Sequence, residues 1–369
     1  MKKIFLFTSF SSDYIFGGGS ILRYILPEVT KTFIVEWNCI SRKPIDLKSN
    51  LFLGNLRIKL HKFYSYYPII NRFQKKYDSL HIFLWVTLKA LMLRKNDRVW
   101  VVLENDMVLL AYYLIKFSKG IRVHISVHDD CLSNYPFEEL NDEDKIRYIL
   151  ERAESIDVIG ENLRKYYFTK FGVNSSVFRR GVDFGKVKQV QYDKKLFKLL
   201  FIGSSHSTIS WKKLFEWIKN FGPNYKFEVD IYSSHDFLAN IGTIPENLVI
   251  NFKNTMDEEQ ILTVSGNYDF SIFFWNDFSK NRIRYSVSTK LTTYLRLGIP
   301  MLASIDTESE VYNLFENSIA FNIEKTDTQD FNNWLSKTDF NECFKTYISR
   351  FFNKTQLNNN LLYLPFFKK

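Results

Sequence analysis

Cysteine is scarce in this chain of 369 residues, which contains only Cys39, Cys131 and Cys343. The three are odd in number, far apart in the sequence, and none belongs to a C-x-x-C pair. A disulfide framework needs paired cysteines, and a structural zinc site needs closely spaced ones. The sequence therefore argues against both and is typical of a protein of the reducing cytosol.

Long apolar runs are also missing. The longest, from Met107 to Ile115, has about half of the roughly 20 residues that a membrane-spanning helix needs. At the start of the chain, Met1–Lys3 precedes the apolar run Ile4–Phe7 as in a signal peptide, but this run is shorter than the roughly 7–15 residues of such a segment. The sequence thus predicts no membrane span and a first buried strand at Ile4–Phe10.

Low-complexity sequence is limited to one short asparagine run, and 46% of the residues are apolar, so we expect a globular protein. At roughly 100–200 residues per domain, the length suggests two domains. The net charge of +10 favours anionic partners such as nucleotide phosphates, nucleic acid or an acidic membrane surface. Basic residues are interleaved with acidic ones and form no dense stripe, so nucleic acid is not expected.

Short β-rich runs alternate with helical runs along the chain, which is typical of parallel β–α–β units and an α/β fold. Residues 184–197 are polar and basic without an apolar period, as in an interdomain linker. We predict two Rossmann-like doubly wound domains that face a central cleft. They span residues 1–183 and 198–335, with linker 184–197 between them, and a C-terminal helical tail at 336–369 crosses back to the first domain.

The loop after the first strand ends in Gly17, Gly18 and Gly19, which lead into a predicted helix. Glycines let the backbone approach a ligand closely, and free N–H groups at a helix start favour a phosphate or a sugar oxygen. A mobile turn is the alternative. The loop lacks the G-x-G-x-x-G pattern, so a bound dinucleotide is not predicted.

His128, Asp129 and Asp130 follow another predicted strand of the first domain. A histidine beside carboxylates can act as a general base or orient one, although a solvated turn capped by aspartate is the alternative. Glu104 ends the preceding strand and is a candidate to bind an acceptor, or else a helix cap. The spacing of these residues does not suit a metal site.

In the second domain, Gly203, Ser204 and Ser205 follow the first strand, and Lys212 lies near the start of the next helix. Backbone, hydroxyl and ammonium groups there can hold a diphosphate. A plain pair of surface lysines, Lys212 with Lys213, is the alternative.

The most specific stretch is Arg282–Ala303. A helix is predicted here, with Ser288 and Thr289 as candidate caps at its start and Gly298 as the residue that ends it. Pro300 then leads into a predicted buried strand. The N-terminus of such a helix offers unpaired N–H groups and a partial positive charge to a diphosphate. An ordinary capped helix is the alternative.

With its order of lysine, tyrosine, leucine, x, x, glycine, x and proline, this stretch resembles the nucleotide-binding segment of GT-B glycosyltransferases of the group 1 or family 4 type. Ser155–Ile159, Arg180–Asp183 and Phe201–Gly203 are similar to other segments of that family, so the resemblance covers most of the chain. The resemblance implies a donor site that consists of Gly203, Ser204, Ser205, Lys212, Arg282, Arg284, Tyr285, Ser286, Ser288, Thr289, Lys290 and Thr293.

The chain departs from this family at two points. Many retaining members carry two glutamates eight positions apart, where this chain has Tyr285 and Thr293. The second glutamate is expected to hold the donor ribose, so the stereochemical outcome stays open. Many members also place an arginine where Ser204 stands, and Lys212, or Arg282 with Arg284, is a candidate to replace its charge.

The resemblance implies a cytoplasmic glycosyltransferase that moves a sugar from a nucleotide-sugar donor to a hydroxyl of a glycan or lipid-linked acceptor, in cell-surface polysaccharide synthesis. It implies no cofactor and no metal. The family's histidine in the first domain maps best to His128. An inverting reaction needs a base, and Asp13, Asp129 and Asp130 are the further candidates, while Gly17–Gly19 and Glu104 lie on the acceptor side.

The positive charge and the apolar tail Leu361–Lys369 suggest peripheral contact with an anionic membrane. Two other functions fit the same fold. One is a nucleotide-sugar epimerase or hydrolase, which needs no acceptor. The other is a non-catalytic nucleotide- or glycan-binding protein, which the missing glutamates favour.

Overall fold

The structure, a computed structural model, describes residues 2–9, 18–39, 80, 83–104, 107–129, 142–183, 185, 187–191, 194–203, 208–233, 243–276, 280–325 and 327–368. The chain divides into two compact units. The first unit consists of residues 1–180 and 356–369, and the second consists of residues 181–355. In the described residues, no helix has both the length and the apolar composition that crossing a membrane requires.

The first unit contains a six-stranded parallel sheet in the order β2–β1–β3–β4–β5–β6. Its elements are β1 (Lys2–Thr8), α1 (Gly18–Thr30), β2 (Phe33–Cys39), α2 (83–92), β3 (Arg98–Val102), α3 (Met107–Phe117), β4 (Arg122–Val127), α4 (Asp142–Arg152), β5 (Ser155–Val158), α5 (Glu161–Phe171) and β6 (Ser176–Val177). Every residue of β3 is buried. Parallel strands with helices on both faces have this pattern, because side chains pointing either way enter the core.

The end of the chain packs on the first sheet. Phe366 and Phe367 are buried in a short 3₁₀ turn, and the Phe367 ring centre lies 5.3 Å from that of Trp100 and 5.0 Å from that of His124. Phe366 and Phe367 belong to the tail for which the sequence suggested a membrane contact, and here they are buried against the first sheet.

Replacing Phe367 with alanine is expected to destabilise the first unit by about 3–5 kcal/mol, since the change removes a buried ring and leaves a cavity. The midpoint of thermal unfolding measures the effect. The matched control is Tyr363→Ala in the same segment, because Tyr363 is 69% exposed and its removal should change stability by about 0.5 kcal/mol or less. Equal midpoints for the two variants would contradict the packing of the tail.

The second unit contains another six-stranded parallel sheet, in the order β12–β11–β10–β7–β8–β9. Its elements are β7 (Leu196–Ile202), α6 (Thr208–Lys219), β8 (Lys226–Tyr232), β9 (Leu248–Lys253), α7 (Glu258–Val264), β10 (Phe270–Trp275), α8 (Lys280–Tyr285), α9 (Thr289–Leu297), β11 (Met301–Ile305), α10 (Asn313–Glu316), β12 (Ala320–Asn322), α11 (Thr328–Lys337) and α12 (Phe340–Phe351). Helix α13 (Lys354–Leu362) runs across the division between the units.

The α/β class and the doubly wound topology predicted from the sequence are confirmed. Some boundaries differ. Strand β7 starts at Leu196, inside the predicted linker. The short α10 is preceded by a 3₁₀ turn at Glu310–Tyr312, which the Ser309 side chain caps by accepting a hydrogen bond from Val311 N–H.

Candidate functional site

The second sheet reverses its strand order between β7 and β10. From β7 the chain moves outward through β8 to β9, and from β10 it moves outward in the opposite direction through β11 to β12. Loops that leave such neighbouring strands diverge at their carboxyl ends, and this is where doubly wound sheets bind ligands. Gly203 follows β7 and Asn276 follows β10, so these two residues mark the candidate site.

Gly203 and Lys290 are in close contact at this edge. The φ angle of Gly203 is +75°, in the left-handed region that glycine adopts without strain. A β-carbon on Gly203 would lie 3.1 Å from Cε of Lys290, which is tighter than an ordinary van der Waals contact. Glycine adopts this turn without strain, whereas an alanine here would be strained and would shift the end of the lysine side chain by a few tenths of an ångström.

The ammonium group of Lys290 is held beside an aromatic ring. Its Nζ lies 4.6 Å from the centre of the Phe201 ring, whose negative face attracts a cation. Burial lowers the pKa of Lys290 to about 8, because an ammonium group with little water around it favours its neutral form. An anion that binds next to Lys290 would stabilise the charged form.

The N-terminus of α9 meets the same edge of the sheet. The Oγ of Ser288 caps the helix by accepting a hydrogen bond from the backbone N–H of Lys290, at 3.3 Å. One turn later the Tyr294 hydroxyl accepts a hydrogen bond from the Ile202 N–H at 3.2 Å and fastens α9 to β7. Helix N-termini carry a partial positive charge and N–H groups that bind anions. Gly203, Lys290 and the start of α9 together form a cradle suited to a diphosphate.

Four other predicted donor residues belong to α9 or to the segment before it. Thr289 is the first residue of α9, and Thr293 donates a hydrogen bond from Oγ1 to the Thr289 carbonyl at 3.4 Å. Tyr285, the last residue of α8, and Ser286, directly after it, are both buried. Thr293 thus stands one helical turn from the cradle, with a hydroxyl where the family resemblance expects a glutamate.

The predicted cations are placed differently from one another. Arg282 and Lys212 are exposed, and Arg284 forms an ion pair with Glu308 at 2.7 Å. Lys290 is the predicted cation that the structure brings against Gly203. The cation of the cradle is therefore Lys290 on α9, whereas Lys212 is exposed on α6.

A polar network not predicted from the sequence lies next to Asn276. The Asn276 Oδ1 accepts a hydrogen bond from Ser210 at 2.5 Å, and its Nδ2 donates to Ser304. Ser304 donates to Glu324 at 2.8 Å, and Lys213 lies 2.6 Å from the same carboxylate. Burial by itself would raise the pKa of Glu324, but hydrogen bonds from Lys213 and Ser304 bring it below the ordinary value. The network fixes the start of α6 on the ends of β10, β11 and β12.

In the first unit, His128 follows β4 at the carboxyl edge of the sheet. The side chain is 6% exposed, and neither ring nitrogen has a hydrogen-bond partner among the described residues. Burial lowers the pKa of His128 below its ordinary value, and the charges of Asp157 and Asp129 offset only part of this shift. The imidazole is therefore neutral at pH 7, which is the form that can accept a proton.

A buried carboxylate lies on the strand next to β4. Asp157 Oδ1 is 2.7 Å from His124 Nε2 and accepts a hydrogen bond from Ser126 at 2.6 Å. Trp100 in turn donates to the Ser126 hydroxyl at 2.8 Å. The other oxygen of Asp157, Oδ2, has no hydrogen-bond partner in the described part of the chain. Asp157 was not among the predicted site residues, although an aspartate inside a short apolar run such as Ser155–Ile159 is itself a signal.

Glu104 lies at the same sheet edge, after β3. Its Oε2 accepts a hydrogen bond from the hydroxyl of Ser9, which follows β1, at 3.2 Å. Gly18 and Gly19 form the beginning of α1. The remaining predicted site residues lie outside the described residues: Asp13, Gly17, Asp130, Ser204 and Ser205. In the ranges that the structure does describe, no three His, Cys, Asp or Glu side chains are grouped so as to hold a metal ion.

No protein-family model matches the sequence, and no curated protein matches it either. Solved structures do match. A trehalose-6-phosphate structure from E. coli bound with UDP-2-fluoro glucose aligns with a TM-score of 0.62 and 9% identity, over 97% of both chains. An α,α-trehalose 6-phosphate synthase from Burkholderia multivorans aligns with a TM-score of 0.61 and 11% identity, over 98% of both chains. The chain has the GT-B fold.

A third match to this fold is the apo form of the lipopolysaccharide outer core galactosyltransferase WaaB, with a TM-score of 0.58, 14% identity and 97% of both chains covered. The fold expected from the residues of Arg282–Ala303 is therefore confirmed. Identities of this size show a common fold, and the chemistry of the GT-B protein has to be argued from its own site.

Proposed function

We propose that the protein is a glycosyltransferase that transfers a sugar from a nucleoside-diphosphate donor to a hydroxyl group of a glycan or lipid-linked acceptor. One observation carries the proposal: Lys290 and the N-terminus of α9 meet Gly203 at the point where the second sheet reverses its strand order. Cationic and N–H groups gathered there suit a leaving group that is a diphosphate.

In the proposed reaction, the acceptor hydroxyl oxygen forms a bond to the anomeric carbon of the sugar. The bond between that carbon and the diphosphate oxygen breaks, and the leaving diphosphate keeps the electron pair. Lys290 and the α9 amides stabilise the negative charge that develops on this oxygen, as preorganised charges and dipoles do in other enzymes. The hydroxyl proton passes to a base in an inverting reaction, or to the leaving diphosphate in a retaining one.

We infer that His128 is the base if the reaction inverts. Its burial, its neutral imidazole and its two ring nitrogens without described partners suit a group that accepts a proton from a bound hydroxyl. Asp129, directly after it, is the second candidate. Glu104, at the same sheet edge, is proposed to bind the acceptor through the carboxylate that Ser9 contacts.

The matched structures support this choice of substrates. One of them is bound with UDP-2-fluoro glucose, another is described as a lipopolysaccharide outer core galactosyltransferase, and a trehalose-6-phosphate synthase was analysed with bisubstrate glycomimetics. We propose by analogy a nucleotide-sugar donor, a role in cell-surface polysaccharide synthesis and a cytoplasmic location.

The experiment that tests the proposal supplies the purified protein with radiolabelled nucleotide sugars, one at a time, together with glycan and lipid extracts. Transfer of label into one extract fraction, with release of the matching diphosphate, supports a transferase. Release of free sugar without an acceptor would identify a hydrolase. A sugar that is changed but still attached to its nucleotide would identify an epimerase. Binding without turnover in any extract would leave a nucleotide-binding protein.

Donor affinity is expected to fall as the pH rises through about 8. The pKa of Lys290 is about 8 in the free protein, and a bound diphosphate raises it by stabilising the ammonium form. The donor affinity is therefore highest below that pH, where Lys290 is already charged in the free protein. Above it the affinity declines by up to about tenfold per pH unit. The phosphate itself is already fully ionised above about pH 7, so it does not contribute to this change.

Titration calorimetry with UDP between about pH 7 and pH 9.5 measures this decline. The Lys290→Ala variant serves as the control and should bind weakly with no change across the range. An equally steep decline in that variant would assign the pH dependence to another group.

A further inference from the structure

Helix α2 has an apolar face that no described residue covers. Leu84, Leu88, Leu91 and Met92 are 50%, 62%, 79% and 72% exposed, respectively. Their spacing of four, three and one residues places them on one side of the helix. The opposite side is apolar as well, since Val86 is fully buried. A helix that is apolar on both sides is expected to be covered on both sides.

The inward side of α2 holds the helix firmly on the first unit. The Phe83 ring lies 5.2 Å from that of Tyr113 on α3, and the Trp85 ring lies 5.9 Å from that of Phe7 on β1. Lys89 forms an ion pair with Glu36 on β2 at 3.6 Å. The exposed leucines and methionine therefore belong to a helix whose other side is packed on the first unit.

The surroundings of this apolar stripe are cationic. Helix α2 contains one lysine and no acidic residue, and the exposed Arg94 and Lys95 follow it directly. Lys116 and Lys119 are exposed at the end of α3, which packs beside α2. None of these four cations forms an ion pair with a carboxylate in the described part of the chain.

We propose that the stripe Leu84, Leu88, Leu91 and Met92, together with Arg94 and Lys95 after α2 and Lys116 and Lys119 at the end of α3, docks the protein on an anionic lipid surface. Apolar side chains beside unpaired Lys and Arg are the combination by which surface helices enter the headgroup region of such a membrane. A second copy of the chain fits less well. A twofold contact would place each copy's cations near those of the other, whereas anionic headgroups neutralise them.

Vesicle flotation of the full-length protein tests the docking surface. We expect binding to vesicles of phosphatidylcholine with phosphatidylglycerol, and at least about tenfold weaker binding to phosphatidylcholine alone. The double variant Leu88→Glu with Leu91→Glu should lose binding by about tenfold or more, and Arg94→Ser with Lys95→Ser should lose roughly tenfold on the anionic vesicles alone. No sugar donor is present, so the result does not depend on the proposed reaction.

The matched control is Ile244→Glu with Val249→Glu, which adds the same two charges at exposed apolar positions of the second unit. This control should float like the unchanged protein, and thermal unfolding should show that all three variants are folded. Equal flotation of the stripe variant and the control, or no flotation of the unchanged protein, would overturn the proposal. Light scattering that shows a dimer, converted to a monomer by the stripe substitutions, would assign the surface to a second copy instead.

Discussion

Replacing Lys290 with alanine is expected to weaken the binding of the nucleoside diphosphate by roughly 10- to 100-fold. A hydrogen bond between charged groups contributes about 1.5–3 kcal/mol, and the α9 N-terminus remains to hold part of the affinity. Titration calorimetry at about pH 7, where Lys290 is charged, measures the change. The matched control is Lys212→Ala, because Lys212 is exposed and should leave the affinity within about twofold.

A second substitution changes the position of the Lys290 side chain and keeps its charge. Gly203→Ala keeps Lys290, but the new β-carbon meets the lysine side chain at 3.1 Å and the residue must hold φ at +75°. We expect this variant to lose affinity like Lys290→Ala, by about tenfold. Affinity that stays unchanged in both variants would show that the diphosphate binds elsewhere.

Replacing His128 with alanine is expected to lower the turnover of sugar transfer by about 10²–10⁴-fold, which is the usual contribution of a general base. Donor affinity should stay within about twofold, because His128 belongs to the first unit and the donor cradle to the second. In the unchanged protein with saturating donor, His128 should make turnover fall at acidic pH, and the pH of this fall should lie below the ordinary pKa of histidine because burial lowers the pKa of His128. Initial rates over a pH series measure both effects.

The control for His128 is Asp129→Asn at the end of the same strand. That variant removes the neighbouring carboxylate and should cost less than about tenfold in rate, because the imidazole remains. If His128→Ala turns over at the rate of the unchanged protein, the base is another group or the reaction retains the configuration. A larger loss in Asp129→Asn than in His128→Ala would give the role to Asp129.

The donor cradle could be predicted in part because its signals are local. Ser288 and Gly298 bracket helix α9 as predicted, since a capping hydroxyl and a glycine with positive φ act on their own neighbours in the chain. The contact between Lys290 and Gly203 was beyond prediction, because three strands and three helices (α6, β8, β9, α7, β10 and α8) separate β7 from α9 in the described part of the chain. That contact depends on the pairing of β10 with β7, and short sequence motifs do not predict which strands pair.

The networks that the sequence missed are all long-range. Asp157 meets His124 through the pairing of β4 with β5, and Glu324 meets Lys213 across 111 positions. Helix α4 gives only a weak signal in the sequence although Ile146, Ile149 and Leu150 have helical spacing, because its eleven residues are mostly charged. Only the folded sheets bring such residues together, so their roles follow from topology rather than from motifs.

A donor site at the cradle is tested by calorimetric titration of the unchanged protein with UDP, GDP, ADP, CMP and dTDP. We expect one nucleoside diphosphate to bind clearly better than the others, and CMP, which has a single phosphate, to bind weakly because the cradle holds two. Equal and weak binding of all five would contradict a donor site at Gly203, Lys290 and the start of α9.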